Sequence, residues 1–455
     1  MTDNYYDSKE FRDILKSFEE SERSGKSSFF DPDNLLDIVD YYCLYGKLAR
    51  AKELIDRVLE TFPDNDDALL MKARMLMIYE HKPDEAERVA KDITDKQDID
   101  YKYLKAEIML SRGQDSEAES LLQSVYDDDA EEQEQIAEEI AKIYIDYGCV
   151  DHAKAWLEKS GTEETDSRKE LLARILMNEG ETEKSQKILN ELIDSDPYQS
   201  NYWNLLAKTQ FMNDDIENAI ISSEYSLAIN PDDEEAVQSK ANSLYQLGNY
   251  DEAIKLFRHF TTLRPDEDSG YMMLGMSMIA QGRLKEAAQQ LKIAEKKISS
   301  DSLYKGEIYT ELAVVLCKLG HYEEALEYIK RSEHAECDHT DMEILRGMVL
   351  MSKGEYEEGQ QCYEKVLKSS GYSPKVYMKI GMALYESKLY VSAYLTTVSL
   401  IEIYGEEMPE VYAYHALFSL YAGHESEYLK YREIAFEKDP ATAEALLGDI
   451  TLDKQ

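Results

Sequence analysis

Glycine returns at a nearly constant interval in this chain. Gly248, Gly282, Gly320 and Gly354 are separated by 34, 38 and 34 residues, and upstream Gly113, Gly148 and Gly180 are 35 and 32 apart. The step from Gly180 to Gly248 is two periods of 34. Prolines keep the same interval: Pro197, Pro231 and Pro265 are each 34 residues from the next. Around four of the glycines the sequence itself recurs, as YQLGNYDEAIKLF at Tyr245–Phe257, AQGRLKEAAQQL at Ala280–Leu291, KLGHYEEALEYI at Lys318–Ile329 and SKGEYEEGQQCY at Ser352–Tyr363. Each has a large apolar residue two places after the glycine and a small residue five places after it. Such a period marks a stack of small units, none able to bury its apolar face alone. The 455 residues are therefore read as an array of repeats before any count of ordinary domains is made.

Between these marks the apolar spacing is helical. Trp203, Leu206, Ala207 and Gln210 occupy i, i+3, i+4 and i+7, and Ile216, Ala219, Ile220 and Ser223 continue the stripe after a break. Proline inside a helix costs roughly 3 kcal/mol, so prolines mark places where helices cannot continue. Eight of the nine fall at a repeat boundary or just after it; Pro83 alone sits inside an irregular second repeat. Asp31 before Pro32 supplies an N-cap followed by proline at the first helical position. Each period then reads as two antiparallel helices joined by a tight turn. Glycine recurs at the turn because it accepts positive φ, and Ala219, Ala253, Ala287 and Ala325 permit close helix approach. No strand pattern competes.

This pattern resembles the tetratricopeptide repeat. The clearest copy runs over Glu234–Glu267, with Ala241, Leu244, Gly248, Tyr250, Ala253, Phe257 and Pro265 in the family's roles and Lys240 where leucine is expected. Aligned from it, twelve copies start near Pro32, Asp67, Ile99, Glu134, Asp166, Ser200, Glu234, Asp268, Gly306, Thr340, Pro374 and Pro409, over roughly nine tenths of the chain. The resemblance implies an all-α fold, a right-handed superhelical solenoid of antiparallel helix pairs. The expected layout is a capping helix and linker at 1–31, carrying Phe11, Leu15 and Phe18 on one face before the GKSS link. Repeats follow over 32–199, 200–305 and 306–440, then a short final helix at 441–455. The second repeat and the longer step around KKISSDSLYKG are the expected hinges.

In the family, positions 2, 5, 9 and 12 of each first helix line a concave face. Carried over, these positions are acidic early, with Asp33, Asp40, Asp100, Glu107 and Glu138. They turn basic and amidic in the middle, with Lys142, Arg174, Asn204, Lys208, Gln238 and Asn242. From the eighth repeat they are apolar: Met272, Met276, Ile279, Val314, Cys317, Ile344, Met348, Met351, Met378, Met382, Tyr385, Leu417 and Leu420. Methionine is flexible and over-used on surfaces that accept apolar partners, so a binding groove is one reading of this set. Packing between adjacent first helices is the other. Family members that hold a C-terminal carboxylate use Lys at position 5 and Asn at position 9. Here Asn204 and Lys208 stand in the reverse order, and Ser269 and Met273 occupy later basic positions, which argues against that clamp.

A formal net charge of −42 repels phosphate backbones and anionic lipid, since nucleic-acid affinity comes largely from Lys and Arg displacing counterions. No nucleic acid and no membrane partner is expected. There is neither an 18-residue apolar run nor a secretory leader pattern, and the five cysteines are dispersed and odd in number. Reduced thiols and a cytoplasmic location are the reading. No phosphate loop, dinucleotide fingerprint, zinc-protease or nucleophile-elbow motif occurs. His334, Cys337, His339 and Asp341 match no zinc spacing and read as a polar loop. No enzyme, cofactor or metal is expected. The functional reading is recognition of another protein or peptide segment in the concave groove. The alternative is a homo-oligomer in which a second copy covers the apolar face.

Overall fold

The structure, a computed structural model, describes residues 5–6, 8–24, 30–44, 47–80, 82–128, 132–298, 302–332, 338–448 and 450. The GKSS link, residues 299–301, His334, Cys337 and the last five residues lie outside the described residues. Among those described, 26 helices follow one another in consecutive pairs, and no strand occurs. The fold is an all-α solenoid.

First helices begin at Pro32, Asp66, Ile99, Gln133, Asp166, Ser200, Glu234, Asp268, Lys305, His339, Pro374 and Val411. These lie within two residues of the starts expected from the glycine and proline period. Side-chain caps explain several of them. Asn65 accepts from the Ala68 amide at 2.7 Å, Asp98 from Tyr101 at 3.0 Å, Thr165 from Arg168 at 3.1 Å and Asp233 from Ala236 at 3.0 Å. Pro83, the proline that broke the pattern, opens the short helix Pro83–Ala90, where its missing N–H is not needed.

The turn inside each pair has one recurring geometry. Helix Glu234–Gln246 ends, Gly248 takes φ +76°, and helix Tyr250–Leu263 begins. A Cβ on Gly248 would meet nothing within 4 Å. The left-handed backbone, and not lack of room, is what selects glycine there. Two turns make the same corner without it, through Asp214 at φ 58° and Lys388 at φ 62°. Across the pairs, Ala219, Ala253, Ala287 and Ala325 are fully buried, as close helix approach requires.

Two compact units divide the chain, residues 1–270 and 271–455. In the first, buried apolar residues fall into several separate clusters. The N-terminal helix Lys9–Ser24 lays Phe11 and Phe18 into one of them with Leu36, Ile38 and Val39. Between Thr182 and Ser243 the interior of this unit is largely polar. Ser185, Thr209, Ser222, Ser223 and Ser243 are buried, bonded to Ala173 O, Leu205 O, Gln210 Oε1, Ala219 O and Ser239 O at 2.7–2.9 Å. In the second unit one cluster runs from Met272 to Leu447 and takes in the final helix Pro440–Leu447.

Candidate functional site

The first-helix faces of the two units carry different chemistry. In residues 1–270 the face is ionic. Arg74 donates to Asp100 at 3.0 Å, Arg174 pairs with Asp146, and Lys142 lies 3.6 Å from Glu139. Half-buried Glu107 has no such bond. Loss of solvation pushes its carboxyl up to about 7, Arg74 and Lys142 oppose the rise, and Asp146 and Glu139 add to it. Asn204 is buried, and its amide donates to both oxygens of Asp233 at 3.0 Å, so it braces the cap of the next first helix. Lys208 is exposed and Asn242 half-buried. Asp40 accepts from the Tyr6 hydroxyl at 2.5 Å and is thereby tied to the N-terminal segment.

This unit also meets itself across a long sequence distance. Lys52 approaches Asp266 at 4.0 Å, and the Arg264 guanidinium lies 5.7 Å from the Tyr79 ring. Arg264 pairs with Glu234 at 2.9 Å; burial nonetheless holds the Glu234 carboxyl above its ordinary range. A cavity of about 260 Å³ between helices Lys9–Ser24 and Leu48–Thr61 is lined by Glu19, Glu22, Arg50 and Arg57 with Phe18 and Tyr42. Arg57 pairs with Glu22 there, and Arg50 sits 3.9 Å from Glu19.

In residues 271–455 the face is apolar, and the structure divides the expected residues in two. Met272, Cys317, Ile344, Met348 and Met378 are buried, at 2–8% exposure. Met276, Ile279, Val314, Met351, Met382 and Tyr385 pack against the same core but remain partly open. Cys317, Ser352 and Ser387 fall at matching places in successive first helices. Ser352 and Ser387 lie 3.1 Å apart through their hydroxyls, and burial pushes the Cys317 thiol up. Cys43, Cys149, Cys317 and Cys362 are all free thiols.

Sequence reasoning missed the network around His415. This side chain is 2% exposed, with Nδ1 2.8 Å from Thr397 Oγ1 and Nε2 3.2 Å from Glu427, which also accepts from Tyr394 at 3.0 Å. One histidine in a run of aromatics carries no spacing that would reveal it. Thr397 is fully buried, so the trio is a structural network with no access for a substrate. Among the described residues no group of three or more His, Cys, Asp or Glu is placed to hold a metal. No described helix is long and apolar enough to cross a membrane.

The family comparisons fall on the same repeats. A profile described as a tetratricopeptide repeat-like domain matches residues 266–383. The chain is a tetratricopeptide-repeat protein. A second profile, anaphase-promoting complex (cyclosome) subunit 3, matches residues 212–294 of this repeat protein. Protein FlbA of Caulobacter vibrioides is 22% identical over 188 residues, which is 41% of this chain and 31% of that relative. The repeat protein thus spans less than a third of FlbA. Among solved structures, PilW, a type IV pilus biogenesis factor, is 18% identical, with a TM-score of 0.43 over 49% of this chain and all of that one. The Cut9–Hcn1 hetero-tetramer of the APC/C gives 14% and 0.38 over 96% and 92%. MamA from Desulfovibrio magneticus RS-1 gives 13% and 0.35 over 39% and 97%. Repeats of this family are scaffolds for protein interaction, and that general adaptor role is the repeat protein's as well.

Proposed function

We propose that this protein is a non-enzymatic adaptor that receives a segment of another protein on its first-helix faces. One observation carries the reading: Met276, Ile279, Val314, Met351, Met382 and Tyr385 keep apolar surface open on a chain of net charge −42. Arg174, Lys208 and Asn242 serve as polar contacts in the first unit. An exposed apolar patch of a few hundred Å² usually marks a site. Covering about 300 Å² at ~25 cal/mol/Å² returns roughly 7 kcal/mol, against association costs on the order of 4–15 kcal/mol. A micromolar or weaker partner, joined by several anchors, fits that balance. The profile match to an anaphase-promoting complex subunit, and the assemblies named for Cut9 and PilW, are consistent with work inside a larger complex. Free, high-pKa thiols are consistent with a cytoplasmic setting.

The test is a paired capture from native extract with wild type and a Met276→Glu, Met382→Glu variant. Both methionines are partly open, so the variant is expected to keep its circular dichroism and melting temperature. A protein held by wild type and released by the variant supports the groove. Identical captures refute it. Sedimentation of the wild type covers the alternative, because a dimer abolished by the same variant assigns the face to a second copy.

A further inference from the structure

The second helices of this protein are charged on their outer face, with one exception. Helix Tyr356–Ser369 carries Glu357, Glu358, Glu364, Lys365 and Lys368, and helix Glu425–Lys438 carries seven charged residues. Between them in sequence lies helix Tyr390–Tyr404, YVSAYLTTVSLIEIY, whose single charge is Glu402. From Leu389 to Ile401 there are 13 residues without any charge. Its inward face is satisfied by fully buried Ala393 and Thr397 and by Leu400. Tyr394 ties it to the next second helix through Glu427 and by stacking on His424 at 4.4 Å. Its outward face is apolar. Val391 and Leu395, one turn apart, are each 58% exposed; half-buried Val398 continues their line and Ile403, at 68%, ends the helix. Helix formation does not require apolar residues there, because every other second helix fills that face with charge or amide. The pattern is that of an anchor strip bounded by acid: Glu357 and Glu358 in the preceding second helix, Glu425 and Glu433 in the following one, and Glu402 at the end are all exposed.

We propose that this outer strip is a second docking surface, and that it takes an amphipathic helix with apolar anchors flanked by lysine or arginine. The acidic border chooses the occupant. A second copy of the chain would bring the same carboxylates opposite these, and like charges across an interface are repulsive. A segment with basic flanks meets them with complementary charge while its anchors cover Val391 and Leu395 in the helix-in-groove manner. A strip of this size gives weak binding, with Kd in the micromolar range or above, and a salt dependence from the flanks.

The probe is a fluorescein-labelled 18-residue peptide with leucines at i, i+4, i+7 and i+11 and lysines beside them, against the full chain. An analogue with glutamates in place of the lysines is run alongside. Binding of the lysine peptide is expected, weakening several-fold between 50 and 300 mM salt, with the glutamate peptide at least ten-fold weaker. The deciding variant is Leu395→Asp. It adds a negative charge to the protein, so a merely electrostatic association would be unchanged or tighter. The docking surface requires a loss of ten-fold or more, and anything less overturns it. Val391→Ser repeats the test without adding charge, in case Leu395→Asp disturbs folding as read by circular dichroism. A wild-type dimer by sedimentation that either variant dissolves also overturns the proposal, by giving the strip to a second copy.

Discussion

The two units of this chain share one helical plan and fill it differently. In residues 1–270 the apolar interior is broken into separate clusters, with buried hydroxyls from Thr182 to Ser243 and an ionic first-helix face. In residues 271–455 a continuous apolar cluster runs the length of the unit, and the corresponding face is methionine and tyrosine. Pairwise burial of hydrophobic area is non-directional and scales with area, whereas hydroxyls bonded to their own helix add little net stability. The same fold can therefore be held by two very different mixtures of forces. The second unit is expected to be the more stable per residue and the first the more adjustable.

The largest expected effect tests that ranking directly. Phe418 is fully buried, stacked on Tyr385 at 5.3 Å and close to the Gly381 backbone. Phe418→Ala is expected to cost about 3–5 kcal/mol, and hydrogen exchange should show the loss confined to residues 271–455. Ser223→Ala, the counterpart in the first unit, removes a hydroxyl bonded at 2.8 Å to its own helix. It is expected to change stability by less than about 0.5 kcal/mol. Equal costs in chemical denaturation would erase the difference between the units.

A smaller effect gives the two units opposite pH responses. Glu107 in the folded first unit takes its proton near 7, while an unfolded glutamate takes it near its ordinary value of 4.5. The folded state binds the extra proton between those values, so this contribution is complete below 4.5 and lost as pH rises through 7. His415 has the reverse sign: burial lowers its pKa although Glu427 pulls it upward, with Lys430 and His424 adding to the lowering. The unfolded chain takes that proton first, so its contribution is complete above about 6.5 and lost as pH falls below it. Glu107→Gln is expected to remove about 1–2 kcal/mol of pH dependence from the first unit, after allowing for its partial solvation. His415→Gln should flatten the opposite slope in the second. Exchange protection followed from pH 5 to 8 separates them, and slopes of the same sign in the two units would contradict the assignment.

Much of the helical plan was legible in the sequence because it rests on local rules. Gly248 needs positive φ, Asp233 needs to cap, and Pro374 needs to start a helix; each acts within four residues. The division of the late methionines was not legible. Met272 and Met276 sit one turn apart on one helix, yet the first is buried and the second partly open. That outcome depends on how neighbouring first helices approach each other, which small residues such as Gly347 beside the Tyr363 ring help to decide. Asn204 was legible as a first-helix residue but not as the brace of Asp233, since its partner lies in the next repeat. The outer strip around Leu395 was present in the text as a run without charge, and was passed over because attention followed the family's concave positions.

The finest test returns to the turn both units share. Asp214 in the first unit and Lys388 in the second adopt φ 58° and 62° where most repeats have glycine. A residue with a Cβ pays roughly 1 kcal/mol for that conformation. Asp214 has a return, since it accepts from the Gln246 amide at 3.1 Å. Lys388 has only the backbone bond of its amide to the Tyr385 carbonyl at 2.8 Å, which glycine would keep. Lys388→Gly is therefore expected to stabilise the second unit by about 0.5–1 kcal/mol, the gain being reduced by the greater freedom of glycine in the unfolded chain. Asp214→Gly should be near neutral, because relief of strain and loss of the hydrogen bond offset each other. Gly248→Ala, with open space around its Cβ but φ +76°, should lose about 1 kcal/mol through the backbone alone. If all three shift the denaturation midpoint equally, the turn is not the discriminating element, and the period of glycines reflects something other than conformation.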